Sequence, residues 1–258
     1  MKVYIAEQAG YCFGVKRAVD TAIGTLKDSN NIPTYSLGPL VHNPQVVDKL
    51  QREGLRVIES VNGLNDGKVI IRAHGVPYSL QKEIEELNLE LIDCTCPFVK
   101  SVHKKVEEYN NKGYKIIIIG DKNHPEIIGI NGWCNNEGII VNNEEEAINV
   151  PHYDKICIVS QTTNTLEKFE SLSNILASKG NEVKVFNTIC NATNLRQKAC
   201  EELAKKVDAM IVIGGYNSSN TNKLVEISKK YCNNVYHIEI SKDLYLQELS
   251  KFNTIGIT

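Results

Sequence analysis

One arrangement occurs three times in the chain and limits what it can fold into. A strand-like apolar run ends, a cysteine follows within a short polar turn, and an amphipathic helix pattern begins. Near the amino terminus this is Lys2-Val3-Tyr4-Ile5, then Cys12-Phe13-Gly14-Val15-Lys16; in the middle it is residues 89–92, then Cys96-Pro97-Phe98-Val99-Lys100. Both read Cys-x-x-Val-Lys. The third copy, Val183-Lys184-Val185-Phe186 and then Cys190, keeps strand, turn and helix without the Val-Lys pair. Three similar units, each delivering one thiolate, point to one shared metal centre.

Around these copies strands and helices alternate. After Cys12, the positions of Val15, Ala18, Val19, Ala22, Ile23 and Leu26 make one apolar helix face. Asn43-Pro44 supplies a cap followed by proline at the first helical position, with Val46, Val47 and Leu50 facing inward. Residues 68–72, 115–119, 156–159 and 210–213 are short apolar runs, rich in β-branched residues, that read as buried strands, and Leu195, Ala199, Leu203 and Val207 carry the helix after Cys190. The alternation predicts α/β architecture with largely parallel sheets. No proline-, glycine- or serine-rich linker separates the units, so the repeat sets the boundaries. They fall at 14–96, 97–190 and 191–258, the last completed by a strand within residues 1–13.

A chain of 258 residues, 42% hydrophobic and 23% charged, has ample core for a globular protein. A formal charge of −2, with no basic tail or run, gives no electrostatic reason to bind nucleic acid or an anionic membrane. Met1-Lys2-Val3-Tyr4-Ile5-Ala6-Glu7 turns polar too soon for a signal peptide, and no apolar run reaches membrane-spanning length. The expected location is the cytoplasm. There the eight cysteines stay reduced and serve metal binding or packing rather than a disulfide framework.

Polar residues cluster where a strand hands over to a helix: His42, His74, His124 with Glu126, Thr162-Thr163, and Ser218-Ser219-Asn220. Open α/β sheets bind ligands beyond the carboxyl ends of their strands, and helix amino termini present free N–H groups, so the expected ligand is an anion, phosphate above all. Each of these residues has an ordinary structural explanation when taken singly. Cys12, Cys96 and Cys190 fit iron–sulfur ligands, zinc ligands or small core residues. Three protein ligands rather than four leave an open position, as a catalytic metal needs. Glu126 at a helix start favours the dipole, or delivers a proton if a partly desolvated site raises its pKa. Neither Gly-x-Gly-x-x-Gly nor Gly-x-x-x-x-Gly-Lys occurs, which removes the usual support for nicotinamide or nucleoside-triphosphate binding.

Taken together, Ala9-Gly10-Tyr11-Cys12-Phe13-Gly14-Val15, Gly38-Pro39-Leu40-Val41-His42-Asn43, Arg72-Ala73-His74-Gly75, Asp93-Cys94-Thr95-Cys96-Pro97, His124-Pro125-Glu126, Ser160-Gln161-Thr162-Thr163 and Asn217-Ser218-Ser219-Asn220 resemble the 4-hydroxy-3-methylbut-2-enyl diphosphate reductase family, in order and over nearly the whole chain. The resemblance implies a trefoil of three pseudo-threefold-related α/β domains around a central site, where Cys12, Cys96 and Cys190 hold a [4Fe–4S] cluster with one open iron. It implies that His42, His74, Ser218, Ser219 and Asn220 bind the diphosphate, and that His124 helps secure the substrate. Thr162 and Glu126 complete a hydrogen-bond chain to the allylic hydroxyl, Glu126 being the proton source. The implied reaction is the last step of the methylerythritol phosphate route to isoprenoids: a two-electron reductive dehydroxylation giving isopentenyl and dimethylallyl diphosphate. Reduced ferredoxin or flavodoxin would supply the electrons. The family continues past Ile257-Thr258 into a glycine/serine turn whose serine also contacts the diphosphate. Two rival readings differ in class. A quinolinate-synthase-like dehydratase also draws one cysteine from each of three domains, but the His/Ser/Asn strand ends favour a diphosphate. An iron–sulfur electron carrier needs no such pocket.

Overall fold

Ile116, Ile117, Ile118 and Ile119 show how the strands form: all four are buried, with Ile116 and Ile118 in one apolar layer and Ile117 and Ile119 in the other. A strand covered on both faces tolerates no polar alternation, which is why these runs are continuously apolar. The computed structural model describes residues 1–28, 32–87, 89–244 and 246–258.

The chain opens with β1 (Lys2–Ile5), α1 (Phe13–Lys27), β2 (Thr34–Leu37), α2 (Pro44–Arg52), β3 (Leu55–Ile58), β4 (Lys68–Ile71), α3 (Tyr78–Glu86) and β5 (Glu90–Asp93). It continues through α4 (Pro97–Asn111), β6 (Lys115–Ile119), α5 (Pro125–Gly132), β7 (Ile139–Val141), α6 (Glu144–Ile148), β8 (Tyr153–Ser160), α7 (Leu166–Ala177) and β9 (Gly180–Val185). Last come α8 (Asn191–Ala204), β10 (Ala209–Ile213), α9 (Ser219–Tyr231), β11 (Val235–Ile238), a 3-10 turn at Ser241–Asp243, α10 (Leu246–Leu249) and β12 (Thr254–Ile257). They build three four-stranded sheets with orders β3-β2-β4-β5, β7-β6-β8-β9 and β11-β10-β12-β1. Every pairing among them is parallel. The orders are equivalent, so β2, β6 and β10 correspond, as do β4, β8 and β12, and β5, β9 and β1. The fold is the expected α/β trefoil of three parallel-sheet units.

The helices that follow the cysteines pack across unit boundaries. Ala18 and Ala22 of α1 join Leu40, Leu50 and Ile70 of the first sheet's core, although Cys12 follows β1 of the third sheet. Val102 and Val106 of α4 join the second sheet's core, and Cys200 and Ala204 of α8 join the third. Each cysteine therefore stands at a crossing between one unit's last strand and the next unit's first helix. The apolar period misleads in one place: Leu195 is exposed, while Thr193, Gln197, Cys200 and Ala204 are the buried residues of α8. Among the described residues no helix is long and apolar enough to cross a membrane.

Candidate active site

The carboxyl ends of the three sheets face a cavity of about 520 Å³ lined by Cys12, Cys96 and Cys190, by His42, His74 and His124, by Glu126 and Thr162, and by Ser218, Ser219 and Asn220. All of the residues singled out in the sequence thus meet in one place. Cys12, Cys96 and Cys190 occupy the N-cap positions of α1, α4 and α8, and none spends its side chain on capping. Their backbones are tied to neighbouring turns: Cys96 N–H donates to Ala73 O at 3.0 Å, and Cys190 N–H to Thr162 O at 2.9 Å. The other five cysteines are buried away from this cavity.

Burial pushes the Cys96 thiol pKa up and the charges of Cys12 and Cys190 push it further, while the Phe98 and Val99 N–H groups act in the opposite sense. The three sulfurs are thus within electrostatic reach of one another at three helix amino termini. A Cβ on Gly14 would lie 2.6 Å from Cys96 Sγ and 3.9 Å from Cys12 Sγ, so glycine keeps this cradle open. Soft thiolate donors, free of disulfides and facing one cavity, fit an iron–sulfur group.

The imidazole end is of different character. Ring centroids of His42 and His74 lie 4.3 Å apart, and each lies 5.5 Å from His124. One nitrogen from each ring falls within 4.8 Å of the others, close enough for a metal triad. The charge behind them argues for an anion instead. The Arg72 guanidinium adds to burial in lowering the pKa of all three rings, and His124 falls to about 4. Among the described residues His42 Nε2 and His74 Nδ1 are buried without a protein partner, as ring nitrogens facing a ligand would be. His124 Nδ1 accepts Glu126 N–H at 3.1 Å, which leaves the neutral ring's proton on Nε2 as a donor. A Cβ on Gly215 would lie 2.5 Å from His42 O, so only glycine lets the third unit approach the His42 turn this closely. Ser218 accepts Thr221 N–H at 3.3 Å and caps α9, keeping its own proton free to donate.

Glu126 joins the two ends. It is 2% exposed, and its carboxylate accepts Thr162 N–H at 2.6 Å and the Thr162 hydroxyl at 2.8 Å. Burial raises its pKa; the two Thr162 bonds oppose the rise without cancelling it. A continuous line of contacts runs from the Cys190 backbone through Thr162 and Glu126 to the His124 ring. Sequence reasoning did not assign roles to Arg72, Gln161 or Arg196, and placed Thr163 in the polar strand-end cluster without a role of its own. Arg72 reads as a polar strand end, and only the fold reveals it behind the imidazoles. Arg196 donates to Gln8 O and Gly10 O, both at 2.8 Å, pinning the turn before Cys12 to the helix after Cys190.

Fold and site together define a three-unit α/β protein whose sheets meet at one thiol- and imidazole-lined cavity, and its relatives are reductases. The chain belongs to the LytB protein family, whose model matches residues 3–258. It is 50% identical to the 4-hydroxy-3-methylbut-2-enyl diphosphate reductase of Caldanaerobacter subterraneus subsp. tengcongensis, over 100% of this chain and 91% of that protein. It is 48% identical to the protein of the same name from Clostridium perfringens strain SM101, over 99% and 92%. Among solved structures it resembles (E)-4-hydroxy-3-methyl-but-2-enyl diphosphate reductase, described as the terminal enzyme of the non-mevalonate pathway, with TM-score 0.71 and 43% identity over 100% of this chain and 93% of that one. The E-1-hydroxy-2-methyl-but-2-enyl-4-diphosphate reductase of Plasmodium falciparum superposes with TM-score 0.91 at 33% identity, over 100% and 82%.

Proposed function

We propose that the chain reduces 4-hydroxy-3-methylbut-2-enyl diphosphate to isopentenyl and dimethylallyl diphosphate, consuming two electrons and two protons and releasing water, as the last step of the methylerythritol phosphate pathway. The observation that carries this reading is the joining, in one cavity, of three uncommitted thiols to an Arg72-backed trio of imidazoles. Cys12, Cys96 and Cys190 would hold a [4Fe–4S] cluster. When bound, it would relay the two electrons one at a time from a reduced donor and supply a Lewis-acidic iron without a protein ligand. His42, His74, Ser218, Ser219 and Asn220 bind the diphosphate: N–H and O–H donors and the α9 amino terminus face its oxygens, with Arg72 adding positive charge behind. His124 donates through Nε2 and secures the substrate. Glu126 holds a proton in a buried pocket and passes it through the Thr162 hydroxyl to the departing oxygen. The apolar walls exclude water from the allylic carbons.

Reduced ferredoxin or flavodoxin as electron donor, a cytoplasmic location and unit boundaries at 14–96, 97–190 and 191–258, with 1–13 completing the third, belong to the same reading. Anaerobic reconstitution with iron and sulfide tests it. About four irons and four sulfides per chain are expected, with an electron paramagnetic resonance signal, after one-electron reduction by a chemical reductant, that changes when the allylic diphosphate is added. A loaded protein whose signal ignores that substrate overturns the reading.

A further inference from the structure

The turn after β8 carries more than Thr162. Gln161 is 2% exposed, and its amide has one orientation open to it. Its Oε1 accepts Asp121 N–H at 3.1 Å, so Nε2 faces two hydroxyls, Thr163 Oγ1 at 3.1 Å and Ser219 Oγ at 3.2 Å. Those two oxygens are themselves 2.8 Å apart, and both residues line the cavity. Counting protons settles what the group can do. The amide donates to both oxygens, and one hydroxyl hydrogen is shared between them. One hydroxyl hydrogen remains, and none of the hydrogen bonds of Thr163 and Ser219 among the described residues gives it an acceptor. When Thr163 donates to Ser219, both lone pairs of Ser219 Oγ are filled and its proton is left for a ligand; when Ser219 donates to Thr163, the Thr163 proton is the one left, so in either arrangement the pair offers the cavity one hydroxyl donor.

We propose that Gln161 is a positioning residue that makes the Thr163–Ser219 hydroxyl pair a committed hydrogen-bond donor to the diphosphate. The proposal rests on the reading that this cavity takes a diphosphate. A hydroxyl acting only as donor binds an anion better than one free to rotate, because its alternative roles are already filled. The arrangement also spans units: Gln161 and Thr163 follow β8 of the second sheet, while Ser219 opens α9 of the third. Gln197 of α8 braces the same turn, donating to Asn164 O at 3.2 Å and Thr163 O at 3.4 Å. Since Thr162 in this turn also holds Glu126, the turn that grips the diphosphate fixes the acid.

The test is calorimetric titration of inorganic pyrophosphate into the reconstituted protein at neutral pH. Gln161→Glu is isosteric and still accepts Asp121 N–H, but its carboxylate also takes both hydroxyl protons and adds a negative charge. Pyrophosphate affinity is expected to fall about thirtyfold or more. Thr163→Val is expected to weaken binding about tenfold, and Thr163→Ser, which restores the hydroxyl, to return it to within about threefold of the parent. In turnover the losses should fall on KM rather than kcat. If Gln161→Glu fails to fold, as circular dichroism would show, the Thr163 pair decides. A folded Gln161→Glu or Thr163→Val that binds pyrophosphate like the parent overturns the proposal while leaving the diphosphate reading in place. A parent protein that does not bind pyrophosphate overturns both.

Discussion

Glu126 lies under two opposed influences, a buried setting that favours its neutral form and two Thr162 bonds that favour its charged form, and burial prevails. Its proton is therefore retained closer to neutrality than that of a surface carboxyl, as an acid catalyst requires. In Glu126→Gln the amide oxygen accepts Thr162 N–H and the amide nitrogen donates to the Thr162 hydroxyl, so the geometry survives without a transferable proton. Turnover with a chemical reductant should fall on the order of 10²–10³-fold, while iron content and pyrophosphate affinity stay as in the parent; an undiminished kcat removes the role. At this scale the convergence on one cavity was readable, because cysteine, histidine and glutamate at strand ends carry their own signal. Arg72 and Gln161 were not. Their work depends on neighbours brought close only by the fold: the His74 ring for one, Asp121 and Ser219 for the other.

The recurring element is a strand, a turn and a helix capped by a cysteine that does no capping. Its regularity made α1, α4 and α8 legible, as did the Asn43-Pro44 start of α2. The strands β3, β7 and β11 are three or four residues long and lie at sheet edges; β1 and β5 are as short and as peripheral, and only the cysteine turn and helix that follow them made them legible. Leu195 misled because α8 turns Gln197 inward to brace the turn after β8, so a buried amide occupies a place that hydrophobicity assigns to leucine. Where α1 meets α4 the packing has no slack. Gly14→Ala places a methyl group 3.2 Å from Cys96 Cβ and closer still to its sulfur. The expected cost is about 1–3 kcal/mol in urea unfolding, with iron uptake on reconstitution reduced by a comparable crowding of Cys96. Full iron content in that variant shows that the cradle adapts.

Over the whole molecule, buried neutral imidazoles make stability depend on acid. His103, stacked on Trp133 with centroids 5.0 Å apart, and His124 are each lowered from 6.5 to about 4, chiefly by burial. The unfolded chain takes up these protons first, so stability is fully present above the ordinary histidine value and is lost as pH falls through that window, levelling off below about 4. Each ring accounts for about 3 kcal/mol of that loss. His103 lies outside the cavity lining, so His103→Gln should flatten the pH dependence of the urea midpoint without changing pyrophosphate binding; an unaltered slope assigns the acid sensitivity elsewhere. The α/β class was legible from alternation alone, and the meeting of distant residues is brought about by three sheets that point their carboxyl ends inward. The pairing of β1 with β12 carries a consequence for biosynthesis. The strand preceding Cys12 is made well before its partner in the sheet, since residues 2–5 pair with residues 254–257. A nascent chain already folded around Cys96 and Cys190 still lacks the strand that holds β1 before Cys12, so the cavity lined by all three thiols cannot close until β12 has been made.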